Sequence, residues 1–217
     1  MPNIDSIKFD HADWQLVEKK PYMHVYADDI KQLSAVLSVE YFDKPPEIAV
    51  SLSAIDKIRF VYRNLANQSG AGLISAEVNK VGGFDCIETI FKMLQPNRGV
   101  VYIGSLTFLF AEFSYVVKVQ CIELGFTGVR EAFVMDKLIK DKKNVDDAGK
   151  IKGWERDPYD AEGTYPFMPN LAESQEYDNV FPMHALSRVR RVLNQVCRTV
   201  SFDEELRTAA TFDPLNS

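Results

Sequence analysis

The chain has no apolar run approaching the ~18 uninterrupted residues that a membrane-crossing helix needs. Cysteine is scarce: Cys86, Cys121 and Cys197 are odd in number, widely spaced and set among apolar neighbours. That pattern argues against a disulfide framework and reads as buried thiols in a reducing compartment. Positive charge is also short, with 25 basic residues against 31 acidic ones and a net charge of −6. Such a balance repels phosphate backbones and suits a basic protein partner, so neither nucleic acid nor a membrane is expected as a partner. The opening Met1-Pro2-Asn3-Ile4-Asp5-Ser6 carries neither the basic nor the apolar stretch of a signal peptide, and a cytoplasmic location is expected.

Motifs that carry chemistry are missing in the same way. His11, His24 and His184 share no metal-ligand spacing, and there is no paired Cys-x-x-Cys, no His-Glu-x-x-His and no acidic calcium loop. Gly70-Ala71-Gly72 and Gly82-Gly83 lack the Gly-Lys-Ser/Thr continuation of a phosphate cradle and read as turns. Gly104-Ser105 falls inside a strand pattern rather than on the sharp elbow a serine nucleophile needs. The sequence thus implies no metal, no cofactor and no catalytic residue.

What is present is alternation. Residues 34–42 place Ala35, Leu37, Val39 and Tyr41 on one face and Ser34, Ser38 and Glu40 on the other, the period of a half-buried strand. Residues 22–27, 73–81, 84–94, 99–110 and 114–124 read similarly, and turns at Gly82-Gly83 and Pro96-Asn97-Arg98-Gly99 make successive strands antiparallel neighbours. Pro45-Pro46 stops pairing after the first strands. Helices are predicted over 54–66, with Ser53 as cap and Gly70 and Gly72 at the close, and over 129–140 after Gly125-Phe126-Thr127-Gly128, with Thr127 as cap. Glu123, Arg130 and Glu131 around that turn read as capping charges. A final helix over 182–200 carries an unbroken stripe of Ala185, Leu186, Val189, Val192, Leu193, Val196 and Val200, with Pro182 in its first turn and His184 capping or flanking it. The fold class is α+β: one mainly antiparallel sheet of about five or six strands with flanking helices.

Residues 1–140 form the core by this reading, and 141–217 an acidic, proline-rich arm that ends in the last helix and packs on the core. Seven acids between 155 and 178 face the single base Arg156. The candidate partner surface is there: Asp157, Tyr159, Asp160, Glu162, Tyr165, Glu173, Glu176, Tyr177 and Asp178, carboxylates to steer a cationic protein and aromatic rings to hold it. A second polar surface is expected where Glu88 and Lys92 on one strand and Lys118 and Gln120 on another make one wet sheet face.

The order of strands, helix, long meander and closing helix over about residues 10–140, with Trp14 early and Pro45-Pro46 after the first strand pair, resembles the PsbP-like fold. That resemblance implies, among other roles, chaperones that hold transmembrane segments of bacterial secreted effectors. Separately, Trp154-Glu155-Arg156-Asp157-Pro158-Tyr159-Asp160, Glu176-Tyr177-Asp178, Phe181-Pro182 and Leu186-Ser187-Arg188-Val189-Arg190-Arg191 are similar to the C-terminal cadence of small bacterial proteins found in toxin and immunity loci. The expectation is a protein-binding module, an immunity protein that neutralises a cognate toxin. The alternatives are an effector chaperone of PsbP-like type and an enzyme with an unrecognised site.

Overall fold

A computed structural model describes residues 2–11, 13–29, 34–48, 50–95, 99–123, 128–141, 145–147 and 150–212. Its centre is a seven-stranded antiparallel sheet of β2 (Gln15–Lys20), β3 (Met23–Ala27), β4 (Ala35–Phe42), β5 (Gly72–Val81), β6 (Phe84–Gln95), β7 (Gly99–Leu109) and β8 (Ser114–Ile122). The order across it is β2-β3-β4-β8-β7-β6-β5, so the two meanders meet where β4 pairs β8, Leu37 opposite Val119. A two-stranded ribbon of β1 (Ile7–Lys8) and β9 (Ser201–Phe202) stands apart.

The sheet therefore has seven strands where the alternation shows six. The unseen one is β2, exposed at all six positions, so neither of its faces generates the period of two that marks a half-buried strand. Gly82 and Gly83 make the β5–β6 turn with φ of +59° and +95°, the left-handed pair that a tight hairpin demands. The turn at Pro96-Asn97-Arg98 lies outside the described residues.

Helix α3 (Ala185–Thr199) covers one sheet face. Leu186, Val189, Leu193 and Val196 are buried in one cluster with Leu37, Val39, Leu106, Val117 and Val119. The approach is close because β7 has no side chain beneath it: a Cβ on Gly104 would stand 2.5 Å from Val189 Cγ1 and 2.7 Å from Leu193 Cδ1. Helix α1 (Ile55–Ser69) lies on the opposite face, with Ile58 against Ile87 and Leu109, and Ala66 against Leu73 and Ala76. Gly70, at φ +66°, ends it as expected, whereas Gly72 belongs to β5, where a Cβ would come within 2.1 Å of the Phe167 carbonyl. Ala54, not Ser53, occupies the N-cap of α1, without a side-chain hydrogen bond. Pro182 stands before α3 rather than in its first turn, and His184 is the cap.

Helix α2 (Val129–Lys140) does not rest on the sheet. Its Val134 is buried with Ala172 and Tyr177, and Leu138, Trp154 and Phe181 pack around them. The arm thus forms a third layer between α2 and the sheet edge. A short α4 (Glu204–Arg207) follows β9 and buries Leu206 in the main core.

Cys86 and Cys121 are fully buried, and burial pushes both thiols up to about 12. Cys197, half-buried, is pushed to about 11. At pH 8 the thiolate fraction at Cys86 and Cys121 is then small and shielded. Native protein should react with a chromogenic disulfide reagent far more slowly than urea-unfolded protein; equal rates would show that the thiols are not core residues.

Candidate functional site

The acidic arm is spent on the fold. The Tyr159 hydroxyl accepts the Ala76 N–H at 2.7 Å and donates toward Glu77 Oε1 at 3.0 Å, so it occupies the open edge of β5. Arg59 lies 4.5 Å over its ring. The Tyr165 hydroxyl donates to Leu73 O on the same strand at 3.3 Å. Arg63 on α1 donates to Asp157 Oδ2 at 2.5 Å and to Asp160 Oδ2 at 2.7 Å, and the Asp157 side chain is wholly buried. Glu173, also buried, receives Lys92 Nζ at 2.9 Å and the Asn170 N–H at 2.8 Å. Asp178 receives Arg130 at 3.0 Å and Arg190 at 2.9 Å, and Tyr177 is buried beneath Lys137.

Of the nine residues named as a partner surface, Glu162 and Glu176 are exposed, and Asp160, though paired with Arg63, keeps a side chain 43% exposed. A contact surface needs exposed charge and rings, and at Asp157, Tyr165, Glu173 and Tyr177 that basis is gone. The compensating bases, Arg63, Lys92, Arg130 and Arg190, come from other parts of the chain. The wet sheet face divides as well. Glu88 and Lys92 alternate with Cys86 and Ile90 on the α3 side, whereas Lys118 and Gln120 lie on the other side, where Lys118 pairs with Glu40 at 2.6 Å. Strand register, which one strand read alone does not contain, puts them on opposite faces.

A cavity of about 490 Å³ opens between the end of β8, the start of α2 and the segment entering α3. Its walls include Ile122, Glu123, Val129, Val180, Met183 and His184. Large apolar side chains crowd its mouth in the open: Val129 and Val180 are each 52% exposed and Met183 74%. Phe133, at 44%, continues the patch along α2, edge-on to Phe181 at 5.3 Å. Arg130 holds the wall in place. Fully buried, it donates to Ala172 O at 2.6 Å, Ser187 Oγ at 2.8 Å and Ser174 O at 2.8 Å, besides Asp178, and so ties α2, the arm and α3 together.

The floor is polar. His184 Nδ1 accepts the Leu186 N–H at 3.2 Å, which leaves the ring proton on Nε2 in the neutral imidazole. Nε2 is buried without a hydrogen-bond partner, 3.8 Å from Glu123 Oε1. Glu131 Oε2 is likewise buried and unpartnered. The His184 and Glu123 side chains are 7% and 9% exposed. Burial and the neighbouring Arg130 pull His184 down to about 4, so the ring is neutral near pH 7. Burial, with Glu131 and Glu173 nearby, holds the Glu123 carboxyl above its ordinary value, although its Oε1 accepts the Gly128 N–H at 3.2 Å.

The sequence offered little to find this group. Glu123 and Glu131 flank one turn and His184 caps a distant helix, each with a sufficient local explanation; only the packing of α2 against the arm brings them together. Thr127, read as the cap of α2, lies outside the described residues, and Gly128 holds the N-cap position.

No family model matches the sequence, and no curated protein matches it. In structure the chain is similar to cyanobacterial PsbP (CyanoP) of Synechocystis sp. PCC 6803, at 14% identity and TM-score 0.38, over 63% of this chain and 85% of that one. It is similar to LpqN, involved in cell envelope biogenesis of Mycobacterium tuberculosis, at 15% identity and TM-score 0.32, over 60% and 76%. A protein of Bacteroides thetaiotaomicron VPI-5482 matches at 10% identity and TM-score 0.33, over 64% of this chain; the match spans 59% of that protein's length. All three scores lie below one half, so function is argued from the site.

Proposed function

We propose that the chain is a protein-binding module that seats an apolar side chain of a cognate partner in the cavity between α2 and α3. One observation carries this reading: Val129, Val180 and Met183 stand exposed around the mouth of a preformed cavity, and Phe133 continues the apolar patch along α2. Apolar surface concentrated in that way marks an interaction site, and truncating such anchors costs more than truncating the polar rim around them. Glu162 and Glu176 remain available to steer a basic partner, in keeping with the net charge of −6.

The biological form we assign is an immunity protein that neutralises a cognate toxin. A chaperone for a transmembrane segment needs an apolar groove on the order of 30 Å long. A cavity of about 490 Å³ suits one or two anchoring side chains instead.

The double variant Val129→Glu with Met183→Glu tests it against the protein encoded beside this gene. Both side chains are exposed, so folding should be unchanged, while affinity should fall at least thirtyfold, about 2 kcal/mol, and protection in co-expression should be lost. Unchanged affinity and protection would place the contact elsewhere.

A further inference from the structure

We propose that Glu123, Glu131 and His184 form a binding site for one first-row divalent metal ion, zinc or manganese in class, at the floor of the cavity. One ligand atom from each residue can be chosen so that all three lie within 4.8 Å of one another. Zinc bonds of 2.0–2.2 Å put tetrahedral ligands about 3.3 Å apart, so the 3.8 Å between His184 Nε2 and Glu123 Oε1 needs to close by only ~0.5 Å.

The independent observation is the orphaned polarity. His184 Nε2 and Glu131 Oε2 are two of the three buried side-chain polar atoms without a hydrogen bond among the described residues, and both belong to this one group. Buried polar atoms are nearly always partnered, and two such orphans converging with a further carboxylate mark a space that something polar fills. An imidazole with two carboxylates selects a transition ion over calcium or magnesium, which prefer all-oxygen shells. The cavity side leaves coordination positions for water or a ligand. Coordination at Nε2 moves the ring proton to Nδ1 and gives up the Leu186 amide bond, a long one at 3.2 Å. The proposal does not depend on the partner-binding reading, because it concerns the isolated chain.

The test is calorimetric titration of the full, metal-free chain, cleared of any affinity tag, with zinc chloride and then manganese chloride. Cobalt(II) absorption serves as a spectroscopic probe of the same site. One saturable site is expected, weakened about a hundredfold in Glu131→Gln and in His184→Asn, with loss of the cobalt band in both. Glu131 Oε2 makes no hydrogen bond to lose, so Glu131→Gln should keep its melting temperature, whereas His184→Asn keeps a side-chain acceptor at the N-cap of α3 but gives up the buried ring against Tyr102 and should melt lower. Absence of saturable binding would assign the space to water and overturn the proposal. Binding that survives either substitution would overturn it equally.

Discussion

Replacing Arg130 by methionine is expected to cost about 3–5 kcal/mol of stability, read as a fall in the urea midpoint with an unchanged slope. The guanidinium is fully buried and supplies donors to two carbonyls, Ala172 O and Ser174 O, and to Ser187 Oγ. Methionine fills part of the volume and donates nothing, so Ala172 O loses its donor at about 1–3 kcal/mol, while Ser174 O keeps the Tyr177 N–H and the Ser187 hydroxyl keeps Asp178. Asp178 keeps Arg190 at 2.9 Å, which limits the electrostatic share of the loss. Arg130→Lys should fall between, because an ammonium is a compact charge and cannot reach four acceptors at once. A methionine variant within about 1 kcal/mol of wild type would show that α2 and the arm are not held together at this residue.

The second large effect is at Lys92, and it depends on pH. Lys92→Met leaves Glu173 buried, with the Asn170 N–H as its firm donor and the Tyr102 hydroxyl at 3.4 Å. Burial already raises this carboxyl above the ordinary 4.5, with Lys92 opposing the rise; without the lysine it rises further. A carboxyl whose folded pKa exceeds the unfolded one binds its proton more tightly in the native state. Its stabilising contribution is full below 4.5 and is lost as pH rises through the folded value. The variant should therefore lie close to wild type at pH 4 and about 3 kcal/mol below it at pH 7.5. Lys92→Met with Glu173→Leu, which removes both charges, should recover much of that loss. A deficit independent of pH would contradict a charged Lys92–Glu173 pair.

Six strands and three long helices were legible because each half-buries itself locally. The alternation of Ala35, Leu37, Val39 and Tyr41, and the stripe from Ala185 to Val196, are written into consecutive residues. Strand β2 was not, since exposure on both faces leaves no period. The arm misled for a related reason: between residues 155 and 178 the acids outnumber the bases seven to one, yet Asp157, Asp160, Glu173 and Asp178 are paired with bases on α1, β6, α2 and α3. Local composition cannot show a pairing made across the fold, as Arg63 with Asp157 makes it. The floor of the cavity was hidden by adequacy: Glu123, Glu131 and His184 each had a capping role that explained it alone.

The most direct test of the proposed site is hydrogen–deuterium exchange of the chain, free and bound to the protein encoded beside its gene. The cavity reading predicts added protection in peptides spanning 129–134 and 180–186, the two walls that carry Val129, Phe133, Val180 and Met183. Protection confined to 156–178, with those two walls unchanged, would contradict it and return the contact to the outer surface of the arm.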